Sequence, residues 1–219
     1  MLTIENILTQ AEVTALTELI AEHETGFAGG ARTAGWHAKD VKANEQLDPK
    51  AAGAITRKAE AALAANPVFA AFARPRDFVR VMVSRYRRGM QYGLHVDDAL
   101  MDGRRTDLSF TLFLTDPDAY EGGELEIEAQ GGNLSVKEAA GSVFVYPSTT
   151  LHRVAPVTSG ERLAVVGWVR SLVRTAEQRD VLFELDNAIA AARQEAASRA
   201  MLDRLLKVKN NLLRLWAED

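Results

Sequence analysis

Leu108-Ser109-Phe110-Thr111-Leu112-Phe113-Leu114 alternates apolar and polar side chains before it ends in an apolar run, and Asp116-Pro117 follows as a turn. Side chains two apart on a strand share a face, so this spacing predicts a strand with a buried side. Outward from it, between residues 78 and 170, the same period marks seven more candidate strands: 79–86, 92–97, 124–128, 133–137, 142–146, 151–157 and 162–170. Arg88-Gly89, Gly131-Gly132 and Ser159-Gly160 fall between them as turn residues. Eight short strands with such regular turns predict a two-sheet jelly roll rather than alternating strand–helix units.

The flanks are helical. Val13, Leu16, Leu19 and Ile20 recur at helical spacing behind a Thr9/Glu12 capping box, and Asp48-Pro49 opens a second helix that runs through Leu63 and stops before Asn66-Pro67. A glycine-rich turn at 26–35 lies between the two. Beyond Thr175, which forms a second capping box with Gln178, the apolar positions Val181, Leu185 and Ile189, then Leu202, Leu205, Leu206, Leu212, Leu213 and Trp216, predict two long helices. The expected fold class is α+β: a double-stranded β-helix (jelly roll) core over 78–172, a mixed helical support region over 1–77, and a C-terminal helical extension over 173–219. So many apolar residues in the extension should pack against the barrel or build a homo-oligomer.

Composition narrows the chemistry. The 219 residues, 47% of them hydrophobic, suffice for one medium domain. A formal charge of -4 offers no overall basic field for nucleic acid or an anionic membrane, and no stretch has the length of a membrane span. The first ten residues lack the basic and continuously apolar regions of a signal peptide, which makes the cytoplasm the expected location. The absence of cysteine restricts any metal site to nitrogen and oxygen ligands.

Within those limits His95-Val96-Asp97 is the first candidate, because on a strand an imidazole and a carboxylate two apart would converge on one point. His152, on a later strand, supplies a second imidazole, and two imidazoles with one carboxylate are the facial triad of non-haem Fe(II) oxygenases. Arg162 follows ten residues on; an inward guanidinium needs an anion, and its fork of donors suits a carboxylate. Two of these positions also have a structural alternative: His152 as a hydrogen-bonded core histidine, Arg162 as a hairpin arginine paired with Glu161 or on a solvated edge. Apolar Leu108, Phe110, Leu112 and Leu114 are the expected cavity lining. Lys42, Asn44 and Gln46 alternate as a polar face if that segment is extended; a solvated strand face is the expectation, with approach to substrate as the alternative. His23 and His37 have no ligand-like neighbour.

The stretches 85–99, 107–114 with Gly122-Gly123-Glu124-Leu125, 146–154 and Gly160-Glu161-Arg162 closely resemble the bacterial PKHD-type hydroxylases, relatives of the prolyl 4-hydroxylases. The resemblance extends over essentially the whole chain. It implies His95, Asp97 and His152 as Fe(II) ligands, Arg162 as partner of the distal 2-oxoglutarate carboxylate, and L-ascorbate as a reductant that sustains activity. Tyr86 stands where such relatives often place a tyrosine that hydrogen-bonds the cosubstrate, and Trp168 is expected near the cavity wall; for both, core packing is the alternative. Rival readings are a cupin-like metalloenzyme, which Arg162 opposes, and a non-catalytic iron or oxygen sensor. The prime substrate, whether protein side chain, peptide or small metabolite, is not legible.

Strand parity sharpens one expectation. If 151–157 and 162–170 formed a hairpin and both His152 and Arg162 pointed inward, a three-residue loop of Ser159, Gly160 and Glu161 would pair Thr158 with Arg162 and set His152 opposite Trp168.

Overall fold

The computed structural model describes residues 1–33, 35–36, 38–129 and 131–218. The N-terminal part runs β1 (Leu2–Ile4), α1 (Gln10–Ala21), β2 (Phe27–Gly29), β3 (Lys42–Ala43), β4 (Glu45–Leu47), α2 (Pro49–Ala65) and α3 (Pro67–Ala73). Then come β5 (Pro75–Arg87), β6 (Gln91–His95), β7 (Leu100–Met101), β8 (Arg104–Arg105), β9 (Leu108–Phe113), β10 (Tyr120–Gly122) and β11 (Leu125–Ile127). The remaining strands, β12 (Leu134–Val136), β13 (Val143–Pro147), β14 (His152–Val154) and β15 (Val157–Ser171), precede α4 (Ala176–Gln194) and α5 (Arg199–Trp216).

Local chemistry sets the helix starts. The Thr9 hydroxyl accepts from the Glu12 amide while the Glu12 carboxylate accepts from the Thr9 amide, so the expected capping box forms. Asp48 caps α2 with Pro49 in its first turn. Asn66-Pro67 does more than end that helix: the Asn66 side chain accepts from the Val68 and Phe69 amides and starts α3, which sequence periodicity did not reveal.

Two antiparallel sheets enclose the site. The large one has the order β1-β13-β9-β15-β5-β4-β2 with β10 beside β15; the small one has the order β12-β11-β14-β6-β3. A core of Ile55, Leu63 and Phe69 from the helices fills against Val83, Leu108, Phe110, Leu112 and Val165 on the outer face of the large sheet, each 0–2% exposed. Burial of each such side chain contributes roughly 1.5–3 kcal/mol. A second cluster, with Tyr86, Phe113, Leu125, Ile127, Phe144 and Tyr146, fills the space between the sheets. All six residues of β9 are therefore buried, and the expected lining is reversed: Leu108, Leu112 and Leu114 belong to the helix-facing core, while Ser109 and Thr111 line the cavity. Of the four apolar residues only Phe110 also reaches the cavity, where its ring lies against Gly167; a Cβ there would come within 2.7 Å of it.

The expected hairpin does not exist. β14 pairs with β6 and β11 in the small sheet, whereas β15 pairs with β5 and β9 in the large one, and Ala155-Pro156 carries the chain from one to the other. His152 lies opposite His95, not Trp168, and Arg162 opposite Tyr86, not Thr158. Ser159-Gly160 lies inside β15, paired with Glu121 and Tyr120. Gly160 has φ +75, and a Cβ on it would lie 2.3 Å from the Ala119 carbonyl oxygen, so this glycine serves the close approach of β10 rather than a turn.

Helix α4 docks on α3 through Leu182, fully buried, through Phe183 edge-on to Phe72 at 5.4 Å, and through an Arg74–Asp186 ion pair at 2.6 Å. Helix α5 lies along α4, and the chain after it is tied back by a Val173–Ala217 bridge and an Arg105–Glu218 pair. Ending the chain at Arg174 would uncover Phe72 and Val173 and strip Arg74 of its carboxylate. We expect the melting temperature to fall by at least about 5 °C, at roughly 2–4 °C per kcal/mol for a chain of this length; an unchanged calorimetric melt would show that the extension adds nothing to the core.

Candidate metal centre and its cavity

His95 ends β6 and His152 begins β14, and because these residues are direct partners across the two strands, their rings come within 4.2 Å, centroid to centroid. Asp97 lies beyond the end of β6, so the same-face argument for a strand does not apply to it; the chain brings it back as it leaves the sheet. Its carboxylate nevertheless meets both imidazoles, Oδ1 at 3.9 Å from His95 Nε2 and Oδ2 at 3.8 Å from His152 Nε2. One ligand atom from each of the three residues lies within 4.8 Å of the others.

The orientation of these groups is built in. His95 Nδ1 lies 2.8 Å from the Gly93 carbonyl and His152 Nδ1 lies 3.0 Å from the Thr150 carbonyl. A proton on each Nδ1 satisfies those carbonyls and leaves both Nε2 lone pairs facing Asp97. Tyr92 stacks on the His95 ring at 3.6 Å, and Tyr146 meets the His152 ring edge-on at 5.0 Å. Ser109 Oγ donates to Asp97 Oδ2 and lies 2.9 Å from Ser148 Oγ.

Burial, and then the neighbouring His152, push the His95 imidazole down to about 4 from its ordinary 6.5. The folded protein thus keeps His95 neutral and able to ligate. A depressed histidine contributes stability that is full above the unfolded value and lost as pH falls from about 6.5 toward about 4, because the unfolded chain takes up the proton first. Metal-free protein should accordingly melt lower at about pH 5 than at about pH 7, and His95→Gln should flatten that slope. A variant with the wild-type slope would assign the loss to other groups.

Arg162 enters the same cavity from the large sheet. It is 1% exposed, its guanidinium carbon stands 5.3 Å from the Tyr86 ring and 5.4 Å from the Phe113 ring, and none of its three nitrogens has a hydrogen-bond partner among the described residues. A buried, unpartnered guanidinium is costly unless an anion meets it. Room for its stem depends on Gly123, at φ +70, where a Cβ would sit 3.2 Å from Arg162 Cδ. Tyr86 and Trp168 both line the cavity, and the Trp168 indole N–H is also buried without a partner. Nitrogen and oxygen donors at the triad, and beside them a buried guanidinium that has no anionic partner among the described residues, fit a divalent metal together with a carboxylate-bearing ligand.

The model of the 2OG-Fe(II) oxygenase superfamily matches residues 81–170, and that of the PKHD-type hydroxylase C-terminal domain matches residues 177–218. A PKHD-type hydroxylase of Parvibaculum lavamentivorans is 54% identical over 93% of this chain and 93% of its own, and one of Maricaulis maris is 51% identical over 99% and 98%. The chain belongs to the PKHD-type hydroxylases. It is, with that family, a 2-oxoglutarate-dependent dioxygenase. Solved structures share the fold at low identity: a Pseudomonas putida prolyl-4-hydroxylase (TM-score 0.56, 22% identical, 78% of this chain and 91% of that one) and a Trichoplax adhaerens prolyl hydroxylase (TM-score 0.55, 17%, 83% and 86%).

In this hydroxylase the expectation of a solvated face at Lys42, Asn44 and Gln46 is overturned. Their alternation is real, but the face turns inward: all three line the cavity, and Asn44 and Gln46 are only 5% and 8% exposed. The Asn44 amide donates to Ser84 Oγ at 2.8 Å, and the Gln46 carbonyl accepts from Thr33 Oγ1 at 2.7 Å. Short polar strands read as solvated because nothing local reports that β3 and β4 extend opposite sheets over the same cavity. Ser109 and Tyr92 were also missed as supports of the triad; Tyr92, three residues before His95, carried a signal only once the pairing of β6 was known. His23 precedes a short 3-10 turn and is not part of the triad, and His37 lies outside the described residues.

Proposed function

We propose that this chain hydroxylates a C–H bond of its prime substrate while converting 2-oxoglutarate and O2 to succinate and CO2, on a jelly-roll core, with His95, Asp97 and His152 holding Fe(II). The observation that carries the reading is the unpartnered Arg162 guanidinium, buried in the same cavity as the triad. When bound, iron and 2-oxoglutarate supply the oxidising power for oxygen insertion; the residues of this chain position the reactants and exclude water.

Arg162 is the seat for the distal carboxylate of 2-oxoglutarate, since it can donate two parallel hydrogen bonds to it. Tyr86, opposite Arg162 across the strand pair, and the Trp168 indole N–H flank that seat. The Nδ1 contacts of the two histidines fix the ring planes, and Ser109 fixes the Asp97 carboxylate, so the three ligands are ordered before a metal arrives. Leu125 and Val154 exclude water from the inner wall. L-Ascorbate is assigned the role of keeping the iron in its ferrous form between turnovers.

The reading is tested by incubating the Fe(II)-loaded protein aerobically with 2-oxoglutarate, ascorbate and cell extract. Succinate should form in proportion to a product one oxygen atom heavier than its precursor. Full metal loading without 2-oxoglutarate consumption in any extract would favour a non-catalytic iron sensor.

A further inference from the structure

We propose that Lys42 is a specificity-determining residue that anchors a carboxylate of the prime substrate, so that the substrate class is a carboxylate-bearing molecule rather than a neutral or cationic one. This rests on the hydroxylase reading above and deepens it.

The cavity has two compartments that meet at His95 and Asp97. Lys42, Tyr92, His95, Asp97 and Trp168 border both. The inner compartment holds Arg162 and Tyr86; the outer one, toward the surface, holds Thr33, Arg80, Asp98 and Met101 but not Arg162. A cosubstrate whose far carboxylate sits on Arg162 occupies the inner side, which leaves the outer side to the substrate. Two cations border that outer side, and they differ. Arg80 is already engaged, with Nη2 2.9 Å from both carboxylate oxygens of Asp102. Lys42 is not: its Nζ donates to Thr33 Oγ1 at 3.0 Å and lies 4.8 Å from the Tyr92 ring centroid, and among the described residues it has no ion-paired carboxylate.

Burial pushes the Lys42 ammonium down to about 8, with Asp97 pulling it up and Arg80 pushing it down. Lys42 is half-buried, and its described neighbours are a neutral hydroxyl and a ring face. Such a group favours an incoming anion. The strand position supports this geometry: Lys42 on β3 is the direct partner of Tyr92 on β6, and Tyr92 stacks on His95, so the ammonium is held one ring away from the metal ligands. A substrate seated on it would present to the metal a C–H bond close to its own carboxylate.

The test uses the full chain loaded with Fe(II), 2-oxoglutarate and ascorbate, and cell extract in two forms: untreated, and with carboxylates converted to methylamides by carbodiimide coupling. Products one oxygen heavier are quantified by mass spectrometry. The wild type should yield at least about tenfold more product from untreated extract, a preference worth about 1.4 kcal/mol. Lys42→Met should reduce that preference to within about twofold and Lys42→Arg should restore most of it, with Lys42→Met melting within a few degrees of wild type. Equal yields from the two extracts with wild type, or an undiminished preference in Lys42→Met, would overturn the anchor while leaving the hydroxylase reading intact. A larger rise in the KM for 2-oxoglutarate than in the substrate preference would also overturn it, by assigning Lys42 to the cosubstrate. No product from either extract would overturn both readings together.

Discussion

Asp97→Ala should leave a folded protein that no longer retains Mn(II) or Fe(II) and forms no measurable succinate. The carboxylate is the only anionic member of the triad, it bridges the two Nε2 atoms at 3.9 and 3.8 Å, and no other described carboxylate joins that group. With it removed, two neutral imidazoles remain, and a hard divalent ion loses its one charged oxygen ligand. Loss of an outer partner of a metal ligand costs about 10–100-fold in affinity, and loss of the ligand itself should exceed that range. Ser109→Ala provides the graded comparison: it removes the hydroxyl that donates to Asp97 Oδ2, and should weaken metal binding by about 10–100-fold without abolishing it. Metal titration followed by manganese paramagnetic resonance reads both. Stoichiometric, tight metal in Asp97→Ala would remove the triad from the centre of the mechanism.

Arg162→Leu should move two properties in opposite directions. In the protein without cosubstrate, a guanidinium that is 1% exposed and has no anionic partner among the described residues is a buried charge offset by its contacts with the Tyr86 and Phe113 rings and by the nearby Tyr120 hydroxyl. Even buried ion pairs exchanged for apolar residues of similar volume are often neutral or stabilising by about 1–4 kcal/mol, and a charge without an anionic partner has more to gain, so the variant should melt at a higher temperature than wild type. Use of 2-oxoglutarate should suffer: loss of a charge-assisted contact worth about 1.5–3 kcal/mol raises its apparent KM roughly ten- to hundredfold. Metal binding should be retained, because Arg162 lies on the large sheet whereas His95 and His152 lie on the small one and Asp97 just beyond its β6 strand. The pairing of signs separates a functional arginine from a structural one. A lower melting temperature with unaltered 2-oxoglutarate dependence would identify Arg162 as a core residue.

Much of the fold was legible because its causes are local. Thr9 with Glu12, and Asp48 with Pro49, set helix starts through atoms within a few residues of one another, and the structure has those starts. Period-two stretches became strands from β5 to β15, apart from the short β7, β8 and β10. Chemistry limited the residue types of a metal site, since a chain with no cysteine must build one from histidine and carboxylate, but it was the family resemblance that singled out His95, Asp97, His152 and Arg162.

Partnership was not legible. Alternation reports which face of a strand a residue occupies but not which strand lies beside it or what covers each face, and β9 is covered on both. That is why Leu108 and Leu112 were expected in the cavity, when the helices offered them a larger apolar surface and left Ser109 and Thr111 to the metal side. His152 and Arg162 are ten residues apart, a separation that suits a hairpin equally well as a crossing, and only the pairings with β6 on one side and β5 on the other decided it. Lys42 looked solvated for the same reason, since the cover over its face comes from residues fifty or more positions away, including Tyr92 and Asp97. The sequence by itself thus determined the starts of α1, α2 and α4, the strand character of the core and the chemistry available to the site. The tertiary structure alone decided which sheet each strand joins and which side chains meet around the cavity, because long-range pairing depends on the shape of the whole molecule and leaves no mark in the local period of the chain.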